Sequence, residues 1–253
     1  LLWKHNHSSP FNSQIKIYED RFFTVDYESR LNCFYVKNGK KVWDLNTEES
    51  FIKSIKKISL IIKNNLVIFN NSIGDISAAN INSGKLAWQT PTQNTNVYAD
   101  SFKLQISDLV SESNLIFFSN NKNEFYSLDL ETGLLNWKQK VNSNIRPTVL
   151  EDIVFTVSLE GFFIVIDKNL GNIIRATDVF SNFKKRKKIR PTGFIVGKNL
   201  IYLTTSNGKL LLINIESGKT TKILNIDKEK ISRPMVLDKN LYITKNNSII
   251  KLN

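Results

Sequence analysis

A short motif that recurs through the whole chain constrains the fold more than any other feature. A turn residue, Asp or Asn, precedes an apolar run rich in β-branched and aromatic residues, and this pattern occurs six times, at Asp20, Asn65, Asn114, Asp152, Asn199 and Asn240. The intervals run from 38 to 49 residues, with a mean of 44. Repeats of this length, built from short strands, are typical of β-propellers. Helical solenoids share the period but need amphipathic helices, and 3.6-residue periodicity is weak here.

Two further markers follow each of the first five apolar runs at a steady offset. The first is an Asp/Asn-x-x-x-Gly turn, whose glycines are Gly39, Gly84, Gly133, Gly171 and Gly218. Four residues later comes the second marker, which reads Trp43, Trp88, Trp137, Arg175 and Lys222. We interpret the tryptophans as structural, because a large ring at one repeat position packs between neighbouring sheets. The two basic replacements predict either looser packing between the later sheets or contacts made by their aliphatic stems.

Counting these markers predicts five complete repeats and an incomplete sixth. The sixth begins near Arg233 and ends where its Trp-bearing strand should follow, whereas the chain opens on a Trp-bearing segment without preceding strands. We therefore expect Leu1–Lys4 to complete the last sheet, which would remove an exposed sheet edge. The predicted fold is an all-β propeller of four-stranded antiparallel blades, forming a single domain over residues 1–253. The alternative is that further blades precede Leu1; the chain does not begin with Met, which we interpret as processing or trimming.

Composition excludes several classes of site. The 253 residues contain one Cys, so an internal disulfide, a CxxC redox pair and a multi-Cys zinc site are impossible. The two histidines, His5 and His7, have no acidic or sulfur ligand nearby in the sequence, so no metal site is expected. The net charge of +12 is compatible with an acidic partner or an anionic surface, and equally with a compositional bias toward lysine.

Basic residues recur at one position of the later repeats. An Arg-Pro pair precedes three apolar runs, with arginines at Arg146, Arg190 and Arg233. One hypothesis is a cationic rim that binds acidic side chains of a partner, since guanidinium groups make bidentate contacts with carboxylates. The other is that each arginine pairs with an Asp or Glu of a neighbouring repeat.

The densest run of charge lies just before the second of these arginines. It consists of Lys184, Lys185, Arg186, Lys187 and Lys188. It can contact an acidic partner or anionic phospholipid headgroups, or it can be a solvated loop. Nucleic acid is not an expected partner, because the sequence has neither an aromatic stacking platform nor a recognition helix.

The repeat Asp129–Trp137, Asp-Leu-Glu-Thr-Gly-Leu-Leu-Asn-Trp, resembles the PQQ-like repeat of quinoprotein-type propellers. Within that group the chain is most similar to the BamB family of outer-membrane assembly lipoproteins. The resemblance implies a lipid-anchored scaffold on the periplasmic face of the outer membrane, whose partner is the set of periplasmic domains of the barrel assembly protein. Two features depart from the family, whose members have eight blades and a lipid-bearing N-terminal Cys. Six repeats are counted here, and Cys33 lies within a repeat.

We therefore expect a non-catalytic, protein-binding scaffold with no cofactor and no catalytic residues. Quinone enzymes of the resembling class need a calcium site, a catalytic Asp and usually an adjacent Cys pair, which a single Cys excludes. Asp75, Asp129 and Asp167 occupy turn positions and are interpreted as turn formers. Two alternatives remain open: a remnant of a quinone-dependent dehydrogenase, and a propeller that senses a ligand or unfolded protein.

Overall fold

The computed structural model describes residues 2–47, 56–71, 73–92, 104–184 and 186–252. This part of the chain forms six antiparallel sheets, in which each strand pairs with the next one in sequence. The first three sheets comprise β1 (Lys16–Tyr18), β2 (Arg21–Val25), β3 (Arg30–Tyr35), β4 (Lys41–Asn46); β5 (Leu60–Lys63), β6 (Leu66–Asn70), β7 (Ile76–Asn80), β8 (Leu86–Thr90); and β9 (Val110–Glu112), β10 (Leu115–Asn120), β11 (Glu124–Asp129), β12 (Leu135–Gln139).

The last three sheets follow the same plan. They comprise β13 (Thr148–Leu150), β14 (Ile153–Val157), β15 (Phe162–Asp167), β16 (Ile173–Asp178); β17 (Pro191–Val196), β18 (Leu200–Thr205), β19 (Lys209–Asn214), β20 (Thr220–Asn225); and β21 (Met235–Leu237), β22 (Asn240–Lys245), β23 (Ser248–Leu252). The predicted all-β fold of propeller-type repeats, five of them complete and four-stranded, is confirmed.

The two middle strands of each complete sheet carry the core. In β6 and β7 nearly every residue is buried, whereas β8 at the outer edge is exposed or half-buried. Strands covered on both faces need continuous apolar runs rather than alternation, and this is the pattern that the repeats show in the sequence. The apolar run of each repeat therefore becomes the second strand of its sheet.

Two compact units divide the chain. One comprises residues 1–118 and 126–137, and the other comprises residues 119–125 and 138–253. Within the first unit, buried side chains from the first and second sheets share one cluster, and those from the second and third share another. Within the second unit, clusters join the fourth sheet to the fifth and the fifth to the sixth.

Tryptophans of the fourth strands connect neighbouring sheets in the first unit. The Trp43 indole Nε1–H donates to the Ile81 carbonyl at 3.2 Å, and the Trp88 indole donates to the Leu130 carbonyl at 3.1 Å. Each ring lies against the turn glycine of the next sheet, Gly84 or Gly133, and leaves no room there for a Cβ. The glycine at this turn is therefore required by the ring as well as by its own positive φ.

The same position is filled by a cation in the second unit. The Arg175 guanidinium donates from Nη2 to the Ile215 carbonyl at 2.6 Å and from Nη1 to the Glu216 carbonyl. Its Cζ also lies 5.9 Å from the centroid of the Phe163 ring. Arg175 therefore replaces the indole with charge-assisted hydrogen bonds to the equivalent turn, whereas the sequence predicted either looser packing or contacts made by its aliphatic stem.

The turn that receives these contacts is fixed by its first side chain. Asp129 Oδ1 accepts the backbone N–H groups of Glu131 and Thr132 at 3.1 and 2.8 Å, and the Thr132 hydroxyl at 2.7 Å. Burial acts to raise the pKa of Asp129, but these hydrogen bonds and that of Asn114 outweigh it, so the pKa lies below its ordinary value. Asp129 is thus a turn former, as its sequence position indicates.

Among the described residues, the sixth sheet lacks the fourth strand that the sequence predicted. It contains three strands, β21 to β23, and residues 2–7 of the N-terminal segment, which are described, are not in a strand. Trp3 instead binds the first sheet, where its indole donates to the Val36 carbonyl at 2.8 Å and stacks on Phe22 at 6.1 Å between centroids. The Trp3 side chain therefore holds this segment on the first sheet.

None of the helices in the described part of the chain has the length and apolar character needed to span a bilayer.

Candidate protein-binding surface

The three repeated arginines occupy equivalent places, each just before the first strand of its sheet. Arg146 precedes β13, Arg190 precedes β17 and Arg233 precedes β21. In the fifth sheet this point is adjacent to the hairpin that joins β18 and β19, because the backbone N–H of Ser206 donates to the Arg190 carbonyl at 2.8 Å. Arg190 therefore lies at the end of its sheet where the entering chain meets the hairpin between β18 and β19.

The surroundings of the three arginines differ. Arg146 is exposed, and within the described residues its side chain makes no hydrogen bond or ion pair. Arg190 is also exposed, and its Nη1 donates to the carbonyls of Lys187 and Ile189, both at 3.0 Å. Arg233 is half-buried: its stem lies against Gly193, and its Nε donates to the Phe194 carbonyl at 2.9 Å. Arg146 and Arg190 thus present their charge outward, whereas Arg233 helps to join the fifth and sixth sheets.

This difference predicts that two matched substitutions change stability by different amounts. Arg233→Ala should lower the free energy of unfolding by about 1–2 kcal/mol, because it removes a hydrogen bond and the packing of a long stem. Arg146→Ala should change it by less than about 0.5 kcal/mol, as expected for an exposed side chain without partners. Urea unfolding followed by circular dichroism measures both. Equal losses for the two variants would contradict the assignment.

The basic run lies in the connection between β16 and β17, which is rooted in the core at both ends. Phe180 is fully buried and packs over Gly161, its ring 5.6 Å from that of Phe183, and Ile189 is buried in the same apolar cluster at the other end. Between them, Arg186–Lys188 form one turn of 3-10 helix. Phe180 and Ile189 therefore anchor this connection in the core on either side of the basic run.

We call residues Lys184–Arg190 the basic loop. No acidic residue occurs between Val179 and Arg190, and the carboxylate that flanks this stretch, Asp178, is paired with Arg186 at 2.5 Å. Lys184, Lys187 and Lys188 are exposed. Lys185, which belongs to the predicted set, lies outside the described residues. Most of the positive charge of the loop is therefore left for an external partner or for solvent.

Sequence reasoning missed one group of polar residues in the first unit. Lys56, Asn70 and Asn71 line a small cavity together with Asn12, although no motif connects these positions. Nothing in the spacing distinguishes them from ordinary loop residues, because the contact arises only when the hairpin after β6 folds back on the segment before β5.

The single cysteine does not provide a reactive thiol. Cys33 is fully buried in β3, and burial raises the pKa of its thiol to about 11, with Arg21 opposing the shift. The thiol is therefore protonated at neutral pH and is a poor nucleophile.

Comparison with solved structures shows the fold of the whole chain. BamB from Moraxella catarrhalis is similar with a TM-score of 0.78 over 99% of this chain and 74% of that one, at 15% identity. Sqt1 of Saccharomyces cerevisiae is similar with a TM-score of 0.69 over 92% of this chain and 68% of that one, at 12% identity. The computationally designed protein Ika8 is similar with a TM-score of 0.52 over 99% and 98% of the two chains, at 11% identity. At these identities the likeness establishes fold alone.

Comparison by sequence establishes the family. No curated protein matches this chain. A family model described as outer membrane protein assembly factor BamB matches residues 1–177. Because this match spans more than half of the 253 residues, and agrees with the structural likeness, the chain belongs to the BamB family.

Proposed function

We propose that this protein is a non-catalytic scaffold that binds a protein partner through the basic loop and Arg146. The observation that carries the proposal is the rooted basic loop, which holds exposed cations without neighbouring acidic residues between Val179 and Arg190. A loop fixed at Phe180 and Ile189 loses little conformational entropy on binding, so its charges are already positioned for a partner.

The partner chemistry follows from the charge of this surface. Lysine and arginine side chains bind carboxylates, so the complementary surface is acidic. Rim charges of this kind mainly raise the association rate and select the partner, and their effect weakens with salt. Membership of the BamB family leads us to place the partner in outer-membrane β-barrel assembly. In this proposal the partner is the set of periplasmic domains of the barrel assembly protein, and the scaffold is lipid-anchored at the periplasmic face of the outer membrane.

The test is a binding measurement with those periplasmic domains and a loop variant. Replacing Lys184, Lys187, Lys188 and Arg190 together by alanine should weaken binding on the order of 10- to 100-fold, because each exposed charge pair contributes up to about 1 kcal/mol. Raising the ionic strength from about 0.05 to 0.5 M should weaken wild-type binding and have little effect on the variant. Biolayer interferometry gives both rates.

A control variant with the same net charge as the loop variant distinguishes recognition by the basic loop from nonspecific electrostatic attraction. Lys40, Lys85, Lys219 and Lys251 are exposed cations outside the basic loop, and replacing all four by alanine removes the same net charge. This control should bind within about 2-fold of the wild type. Equal losses for the loop and control variants, or no loss for either, would overturn the proposed surface.

A further inference from the structure

An open groove in the second unit shares a hairpin with the root of the basic loop. The groove has a volume of about 520 Å³, within the size range of clefts that bind ligands. Its walls are the hairpins that join β10 to β11 and β14 to β15, the segment after β12, and the strands β15 and β16. The Phe180 ring covers Gly161 in the β14–β15 hairpin, and the Val179 N–H donates to the Gly161 carbonyl at 2.9 Å. The groove is therefore continuous with the surface that carries the basic loop.

Part of the groove is apolar. In β15, Phe162 and Ile164 line the groove, whereas Phe163 and Val165 pack in the cluster with the fifth sheet. Alternate residues of a strand lie on opposite faces, so Phe162 and Ile164 are on the face turned away from the fifth sheet. Ile173 of β16 lines the same groove and is 43% exposed. These side chains offer apolar surface that an apolar side chain of a partner can cover.

A buried acceptor in the groove has no donor. The Leu159 N–H donates to the Asn142 carbonyl at 2.8 Å, which holds Asn142 against the β14–β15 hairpin. The Asn142 side-chain Nδ2 donates to Glu160 Oε1 at 2.5 Å, and because a carboxylate only accepts, this bond fixes the orientation of the amide. Asn142 Oδ1 is buried and accepts no hydrogen bond. A buried polar atom of this kind is normally paired, so an occupant with an N–H or O–H donor is expected here.

The charge of the lining selects among such occupants. The groove is lined by two lysines, Lys122 and Lys140, and by one carboxylate, Glu160, so its net charge is positive. The basic loop beyond the shared hairpin adds further cations. Complementary charge on an occupant is therefore negative.

We propose that the groove binds an extended segment of the protein partner in which apolar residues alternate with acidic ones. This inference rests on the protein-binding function proposed above and names the element of the partner that is recognised. Its apolar side chains would pack on Ile173 and Phe162, a backbone N–H would donate to Asn142 Oδ1, and its carboxylates would face Lys140 and the basic loop. One extended chain supplies all three features, since its side chains alternate in direction and its backbone carries N–H donors.

The test uses three fluorescein-labelled octapeptides and fluorescence anisotropy. In the first peptide Asp alternates with Leu, in the second Asp alternates with Ser, and in the third Lys alternates with Leu. The Asp-Leu peptide should bind at least about 10-fold more tightly than either of the others, because only it matches both the apolar surface and the charge. No binding of the Asp-Leu peptide, or equal binding of all three, would overturn the proposal.

Substitutions at neighbouring isoleucines locate the binding site. Ile173→Ser should weaken binding of the Asp-Leu peptide about 3- to 10-fold through lost apolar contact, and Asn142→Ala should weaken it about 5-fold through a lost hydrogen bond. Ile174→Ser is the matched control, because Ile174 is 59% exposed and does not line the groove. It should bind within about 2-fold of the wild type. Circular dichroism verifies that each variant is folded, and equal losses for Ile173→Ser and Ile174→Ser would contradict the site.

The same variants separate this inference from the proposed function. Ile173→Ser should also weaken binding of the periplasmic domains. If the basic-loop variant loses those domains while Ile173→Ser keeps both the domains and the peptide, the groove inference fails and the proposed function stands. If the peptide result holds but the basic-loop variant binds the domains like the wild type, the proposed function fails instead. A dimer in sedimentation velocity that Ile173→Ser converts to a monomer would assign the groove to a second copy of this chain and overturn the proposal.

Discussion

Replacing Trp88 by alanine is expected to lower the free energy of unfolding by about 3 kcal/mol. The substitution removes a large ring that packs against Gly133 and the apolar cluster between the second and third sheets. Truncation of a packed aromatic residue costs about 3–5 kcal/mol, and the lower end applies because Trp88 is half-buried. It also removes the indole hydrogen bond to the Leu130 carbonyl. Urea unfolding, followed by tryptophan fluorescence and far-ultraviolet circular dichroism, measures the loss.

Trp88→Phe is the matched control for that experiment. It retains an aromatic ring against Gly133 and removes the donor, so a loss of about 1 kcal/mol is expected. A loss in Trp88→Ala no larger than in Trp88→Phe would mean that the ring contributes little. The indole hydrogen bond to the Leu130 carbonyl would then account for the whole contribution of Trp88 to joining these sheets.

Replacing Phe180 by alanine is expected to lower the free energy of unfolding by about 3–5 kcal/mol and to release one root of the basic loop. Phe180 is fully buried in the cluster between the fourth and fifth sheets, and its ring covers Gly161. Removing the Phe180 ring leaves a cavity in this cluster. The lost packing around that cavity accounts for the expected loss of stability when the neighbouring side chains do not move in to fill it. Because local opening exposes lysine and arginine peptide bonds, tryptic cleavage within the basic loop should accelerate by about 10-fold or more.

Phe183→Ala separates the two consequences. Phe183 is only half-buried, so its loss should cost about 1 kcal/mol and leave cleavage of the loop nearly unchanged. If Phe180→Ala reduced stability without faster cleavage, the loop would be held by Ile189 and the Arg186–Asp178 pair alone. If binding of the periplasmic domains persisted at wild-type strength in Phe180→Ala, a preformed loop would be unnecessary for recognition.

Within each unit, a side chain at the same repeat position connects neighbouring sheets, but the two units use different side chains there. In the first unit an indole covers the turn glycine and donates once, whereas in the second unit Arg175 donates to two carbonyls of the equivalent turn. Periodicity placed Arg175 at the tryptophan position, but the residue type alone did not reveal its partners. A guanidinium can pair with a carboxylate, stack on a ring or bind carbonyls, and only the arrangement of neighbouring strands selects among these.

The sequence likewise predicted some features of the candidate site and not others. The sequence located the Arg-Pro positions and the basic loop, because repeat spacing and charge density are both visible along the chain. It did not distinguish exposed Arg146 from Arg233, which contacts Gly193 and the Phe194 carbonyl. Nor did it indicate the small cavity lined by Lys56 and Asn71, because these positions come together through a hairpin contact that has no periodic signal.

What the sequence determined by itself was the repeating unit: a mean period of 44 residues, apolar runs long enough for short buried strands, and turn glycines at a fixed offset. These are local properties, since a strand and its hairpin are set by residues close together in the chain. The tertiary structure decided the contacts between sheets within each unit, including where Trp3 binds, and residues 2–7 form no strand. Such contacts depend on which side chains distant in sequence are brought within reach, and an indole that finds a carbonyl and a stacked Phe22 on the first sheet satisfies its donor and buries its ring there.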